Sequence, residues 1–138
     1  MRYWLVKSEP DAFSWDQQAA NGTEPWTGVR NHSAKLNLKA MRLGDCAFFY
    51  HSNIGREIVG IVRVVREAYP DPTAEAGDWV AVDMQAVRAV PNPVNLATIK
   101  ADPALQDMAL IRQSRLSVCP VTEAQWRHLC AMGGVPVP

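Results

Sequence analysis

A chain of 138 residues and 15.3 kDa has the size of one ordinary domain. Its 48% hydrophobic and 20% charged residues argue against disorder, and no run approaches the ~18 apolar residues of a membrane span. Fourteen basic and fourteen acidic side chains cancel, which excludes a protein that coats nucleic acid or an anionic membrane by bulk positive charge.

The chain opens on Tyr3-Trp4-Leu5-Val6-Lys7, a strand pattern ended by Ser8-Glu9-Pro10. No basic region and long apolar stretch precede it, so a soluble cytoplasmic product is expected. Ser14 with Gln17 forms a capping-box pattern and predicts a helix from Trp15 towards Ala20. Asn21-Gly22 marks a turn, and a brief extended piece follows at Pro25-Trp26-Thr27. Asn31 is a good N-cap for a helix reaching about Met41, with Ala34, Leu38 and Met41 on its apolar stripe. His32, Lys35, Lys39 and Arg42 line another face, either solvated or in contact with phosphates.

Cys46–His51 and Ile58–Val65 are the strongest strands, joined as a hairpin through Ser52-Asn53-Ile54-Gly55-Arg56. Gly60 inside the second suggests a bulge or a close backbone approach. Tyr69–Asp78 reads as a loop. An alternating strand from Trp79 to Val90 is then stopped by Pro91 and Pro93. A short helix near Leu96–Lys100 follows, then a last strand at Leu116–Cys119. Thr122 with Gln125 caps a final helix that Gly133 ends. Strands interleaved with short helices around a central hairpin predict an α+β fold, a partial barrel of mixed, mainly antiparallel strands.

Several catalytic templates are missing: there is no P-loop, GxGxxG, HExxH or GxSxG pattern. Histidines stand only at 32, 51 and 128, without metal-ligand spacing on one helix. Cys46, Cys119 and Cys130 are widely separated and read as buried thiols, with no disulfide framework. A Cys119–His128 pair and a cation site at Asp71, Glu75 and Asp78 are possible in composition, but chance pairing and a solvated acidic loop explain them better. No cofactor or metal is expected, and the weight shifts towards a binding module.

The notable resource is aromatic. Tryptophans stand at 4, 15, 26, 79 and 126, and the helical spacing of Trp126 places it in the core. Trp26 lies in the polar, extended Pro25–Asn31 segment just before a helix N-terminus. Arg30 and the free N–H groups there favour an anion, and an indole face suits a planar ring. Tyr50-His51-Ser52 at a strand end adds an aromatic, a switchable donor or acceptor and a hydroxyl. An extruded base needs stacking and edge hydrogen bonds. A barrel capped by its own aromatics is the competing reading. Charge is unevenly spread: residues 30–66 carry +5 and residues 67–107 carry −5. One basic mouth is compatible with this pattern if the acidic block lies away from it.

These residues resemble a known family. Tyr3–Pro10, Trp26-Thr27-Gly28-Val29-Arg30-Asn31, Phe49-Tyr50-His51-Ser52-Asn53, Ala68-Tyr69-Pro70-Asp71 and Arg112–Val118 are similar, in order, to motifs of the EVE domain of the PUA-like superfamily, especially its compact bacterial members. The resemblance implies one domain over residues 1–134 with a short tail at 135–138. It implies a PUA-like pseudo-barrel flanked by short helices, with a pocket for a modified nucleobase akin to that of the YTH readers. Carried over by position, Trp26 is the pocket wall. Ser8, Thr27 and Asn31 are polar contacts, Tyr50, His51 and Ser52 complete the lining, and Trp79 is the candidate second aromatic. Lys7, Arg30, Lys35 and Arg112 would face phosphates. His32 stands where the family commonly has an aromatic.

The expected function is therefore a non-enzymatic module recognising a modified base in DNA or RNA, without membrane or metal partners. The alternatives are a nucleotide- or small-molecule-handling enzyme with His51 as general base, and a protein-interaction module.

Overall fold

The computed structural model describes all 138 residues. β1 (Tyr3–Ser8) leads into α1 (Trp15–Asn21), the short β2 (Thr23–Trp26) and α2 (His32–Ala40). Three longer strands follow: β3 (Cys46–His51), β4 (Glu57–Pro70) and β5 (Val80–Asn95). After them come α3 (Leu96–Ala101), a 3-10 turn at Pro103–Leu105, α4 (Ala109–Arg112), β6 (Val118–Val121) and α5 (Glu123–Gly133). All six strands form one sheet in the order β2-β5-β4-β3-β1-β6, antiparallel except for β1 against β3. The fold is the expected α+β, mainly antiparallel one. No helix is long and apolar enough to cross a membrane.

The sheet is rolled. β2 and β3 are three strand steps apart, about 14 Å in a flat sheet. Yet the rings of Trp26 on β2 and Phe49 on β3 lie 5.6 Å apart. Register shifts along the β4–β5 ladder accompany this curvature. α2 seals the roll, touching β4 and β5 as well as β6, and Asn37 Nδ2 donates to the Val118 carbonyl at 2.7 Å.

The pleat divides the aromatic residues between two faces. On one, Trp126 of α5 stacks against Tyr3 and Phe48, at 4.6 and 3.9 Å. On the other, Phe49 meets Trp15 at 5.5 Å and Trp26. Gly60 explains how Trp15 fits: the indole lies where a Cβ would stand, so this central strand position excludes every side chain. Both suggestions for Gly60 hold, since a register shift falls beside it.

Local chemistry set the helix starts as expected. Ser14 and Gln17 exchange both capping-box bonds, as do Thr122 and Gln125, and Asn31 Oδ1 accepts the Ala34 N–H at 2.9 Å. Four boundaries differ. β4 runs on to Pro70, an exposed arm kept in register by its ladder with β5 and by the Tyr69 hydroxyl donating to Asp83. β5 passes through Pro91 and Pro93, because β2 pairs only with Val82–Gln85 and leaves that edge without a ladder further on. The last strand is Val118–Val121 rather than Leu116–Cys119; Pro120 is tolerated on an edge strand. Gly134, not Gly133, takes the left-handed cap of α5, while Gly133 gives room to Val90, whose methyl would lie 2.6 Å from a Cβ. Val135 beyond it is buried in the core.

Candidate functional site

The end of β1, the loop before α1, and β2 with its following loop enclose a cavity of about 370 Å³. β2 enters it with Glu24 and Trp26, two residues apart and therefore on one face of the strand. Trp26 is held edge-on by Phe49 and by Phe13, whose ring lies 6.2 Å away at 79°. With two rings bracing it and 8% of its surface exposed, this indole has one orientation. Ser8 Oγ donates to the Phe13 carbonyl at 2.6 Å, which ties that loop to β1 and leaves the hydroxyl able to accept. Lys7 Nζ donates to the Ser114 carbonyl at 2.9 Å, and burial lowers its pKa against a smaller opposing effect of Cys119.

The rim is built on Asp71. Its side chain is fully buried and accepts from Gly28 N–H (2.8 Å), Arg30 Nη1 (3.0 Å), and both the N–H and the hydroxyl of Thr73 (2.8 and 2.7 Å). Burial pushes the carboxyl pKa up, but these donors outweigh it and hold the group well below the usual carboxylate range. Gly28 adopts φ +82°, a conformation glycine takes without strain, so its N–H can turn inward to Asp71. Arg30 is thereby fixed at the mouth, with a second bond from Nη2 to the Thr73 hydroxyl at 3.2 Å.

Of the residues expected at the site, Lys7, Ser8, Trp26, Thr27 and Arg30 meet in this cavity. The others do not. Tyr50 and Ser52 line a separate concavity of about 380 Å³ with Lys7, Arg56 and Lys100, because successive strand residues point to opposite faces. Burial raises the Tyr50 pKa there, partly offset by Arg56. His51 lies beside Ser8 in the β1–β3 register, but its Nε2 accepts the Trp15 backbone N–H at 3.0 Å. Burial lowers the His51 pKa, against Glu57 and Asp16, so the ring is a neutral cap for α1 with its lone pair occupied. Asn31 caps α2 and borders a groove with Ser33, Arg112 and Arg115; Arg112 pairs with Asp107 at 2.8 Å. Lys35 is buried and pairs with Asp78 at 3.0 Å. Trp79 stands outside the cavity, on the far side of Arg30.

The acidic block therefore does not lie away from the basic one. Asp71 and Asp78 reach across to Arg30 and Lys35, so each of these two cations is paired with an acid of the opposite block. The same contacts use up two of the three carboxylates considered for a cation, and no group of three or more metal-binding side chains is assembled anywhere. Cys119 and His128 are likewise apart in role. Cys119 Sγ donates to the Leu116 carbonyl at 3.3 Å, with burial pushing the thiol up to about 11, and His128 pairs with Asp102 at 2.6 Å. All three cysteines are free and buried.

Phe13, Glu24 and Ser117 also line the cavity and were not anticipated. Glu24 was legible from its i, i+2 relation to Trp26. Phe13 precedes the capping box of α1, where an apolar residue ordinarily reads as a packing staple.

The EVE domain family profile matches residues 2–132. Thymocyte nuclear protein 1 of Gallus gallus is 39% identical over 164 aligned positions, covering 94% of this chain and 68% of that protein. An Rhodopseudomonas palustris protein solved by NMR is 60% identical with a TM-score of 0.92, over 97% of this chain and 94% of that one. Human THYN1 protein, solved in complex with 5-methylcytosine-containing DNA, is 32% identical with a TM-score of 0.90 over 99% of both chains. The YTH domain of Zygosaccharomyces rouxii MRB1 protein, in complex with N6-methyladenosine RNA, shares the fold at 15% identity and a TM-score of 0.62, over 99% of this chain and 88% of that one. With the family profile matching residues 2–132 and a relative 39% identical across 94% of this sequence, the chain belongs to the EVE domain family.

Proposed function

We propose that this protein is a non-enzymatic nucleic-acid-binding module that takes one modified base of DNA or RNA into the Trp26 cavity. The observation that carries the reading is the Trp26 indole, braced by Phe13 and Phe49 in a cavity large enough for a small planar ligand. The likeness to human THYN1 protein, solved with 5-methylcytosine-containing DNA, supports a methylated cytosine as the first probe.

In this reading the base stacks on Trp26, an interaction worth about 1–3 kcal/mol. Ser8 and Thr27 offer hydroxyls to its edge, and the Glu24 carboxylate accepts from an exocyclic amino group such as N4 of cytosine. A methyl group replaces water against Phe13 and Pro25, which supplies a preference for the modified base. Lys7 and Arg30 meet the phosphates that flank the extruded nucleotide.

Fluorescence anisotropy with single-stranded oligonucleotides, carrying or lacking one 5-methylcytosine, tests the proposal in DNA and RNA form. The wild type is expected to prefer the modified strand. Trp26→Ala, checked for folding by its amide NMR spectrum, is expected to bind it roughly 10- to 100-fold more weakly. A folded Trp26→Ala protein with unchanged affinity overturns the assignment.

A further inference from the structure

Outside the cavity, a second pair of aromatic rings stands on the surface. His32, the exposed first residue of α2, stacks on Trp79 with centroids 4.9 Å apart and planes at 30°. Neither residue belongs to the hydrophobic core. Two cations flank the indole: Arg30 Cζ lies 5.7 Å from its centroid and Lys35 Nζ lies 5.4 Å from it. Each cation is tied to an acid, Arg30 to Asp71 and Lys35 to Asp78, so the group is held in place by four side chains from two distant segments. Arg30 is shared. It lines the mouth of the Trp26 cavity and also borders the Trp79 ring, with 38% of its side chain still exposed.

We infer that the His32–Trp79 stack is a platform for the base adjacent to the one in the Trp26 cavity. The inference rests on the reading of that cavity as a base site. Aromatic platforms accept any base, because each has a π face. A cation between two ring-binding sites lies where the phosphate linking two nucleotides must pass, and Arg30 occupies that position. His32 is exposed while Trp79 packs on its ring, so a base can be added to the stack without moving the loop that carries Trp79. The arrangement implies that a short strand binds more tightly than the isolated nucleoside, with little dependence on the identity of the neighbouring base.

The test uses 5-methyldeoxycytidine and trinucleotides with a central 5-methylcytosine whose 5′ or 3′ neighbour is either thymidine or an abasic residue. For the wild type, removing the base on one side is expected to weaken binding about tenfold, and removing it on the other side to change little. His32→Ala should abolish that difference while leaving nucleoside affinity unchanged, and His32→Phe should retain it. If wild-type protein binds the base-bearing and abasic trinucleotides equally, or if His32→Ala preserves the difference, the platform is overturned and the stack only braces its loop. Failure of the cavity reading looks different: the nucleoside then binds no better to wild type than to Trp26→Ala.

Discussion

Asp71 accepts the backbone N–H of Gly28 at 2.8 Å, a contact between residues 43 positions apart that fixes the turn following Trp26. The same carboxylate holds Arg30, so one buried acid determines both the wall and the rim of the cavity. Asp71→Asn replaces two acceptor oxygens with one and leaves an amide facing donors. We expect it to destabilise the protein by about 2–3 kcal/mol in urea titrations at pH 7, the range for bonds to a charged group. Because the folded pKa is depressed, this contribution is complete above the ordinary carboxylate value of 3.8 and is lost as pH falls from there towards the lower folded value. The wild-type advantage over Asp71→Asn should be level from pH 8 to 5 and shrink below about pH 4. A gap that instead closes on raising the pH contradicts this role.

His51 acts with the same sign at higher pH. Its folded pKa is lowered by burial, so the unfolded chain binds the proton more readily and stability declines as pH falls below 6.5 towards the folded value. The imidazole must be neutral to accept from the Trp15 N–H. His51→Ala is expected to cost about 1 kcal/mol at pH 8 through the lost helix cap and to remove this part of the pH dependence. Denaturant titrations from pH 8 to 5 decide; an equal decline in both proteins shows that the slope arises elsewhere.

Gly60 is a packing constraint. Gly60→Ala places a methyl inside the Trp15 indole, and overpacking of this kind costs about 1–3 kcal/mol. Because Trp15 packs on Phe49, which braces Trp26, base binding should weaken together with stability. Thermal unfolding and anisotropy on the same sample check both; unchanged stability means that Trp15 has another place to go.

Glu24 tests the reading of the base edge. Glu24→Gln keeps the size but introduces an amide that must point either its oxygen or its donor at the ligand. Preference for 5-methylcytosine over thymine in otherwise identical strands should fall about tenfold, since one such contact discriminates by about 1–3 kcal/mol. Equal loss for both strands indicates a general electrostatic role instead.

What could be read from the residues was local. The capping boxes at Ser14 and Thr122, the Asn31 cap and the central hairpin follow from chemistry within a few positions, and the structure reproduces them. The departures have tertiary causes. Pro91 and Pro93 stop a strand only if both its edges are paired, and the shortness of β2 removes that condition. Tyr50-His51-Ser52 looks like one constellation in sequence, but the pleat sends its members to different faces, and the Trp15 N–H that the Ser14 capping box leaves unbonded claims His51. The pairing of Arg30 with Asp71 and of Lys35 with Asp78 was invisible because charge blocks along a chain do not report which segments meet.

The most direct measurement follows the indole N–H resonances during titration with a strand carrying one 5-methylcytosine. The five tryptophans make an internal comparison, since Trp126 is sealed between Tyr3 and Phe48 on the opposite face of the sheet. A base stacked on Trp26 predicts a large ring-current shift of its Nε1–H, saturating with the affinity found by anisotropy, while Trp126 stays in place. Saturable binding that leaves the Trp26 resonance unmoved would contradict the account.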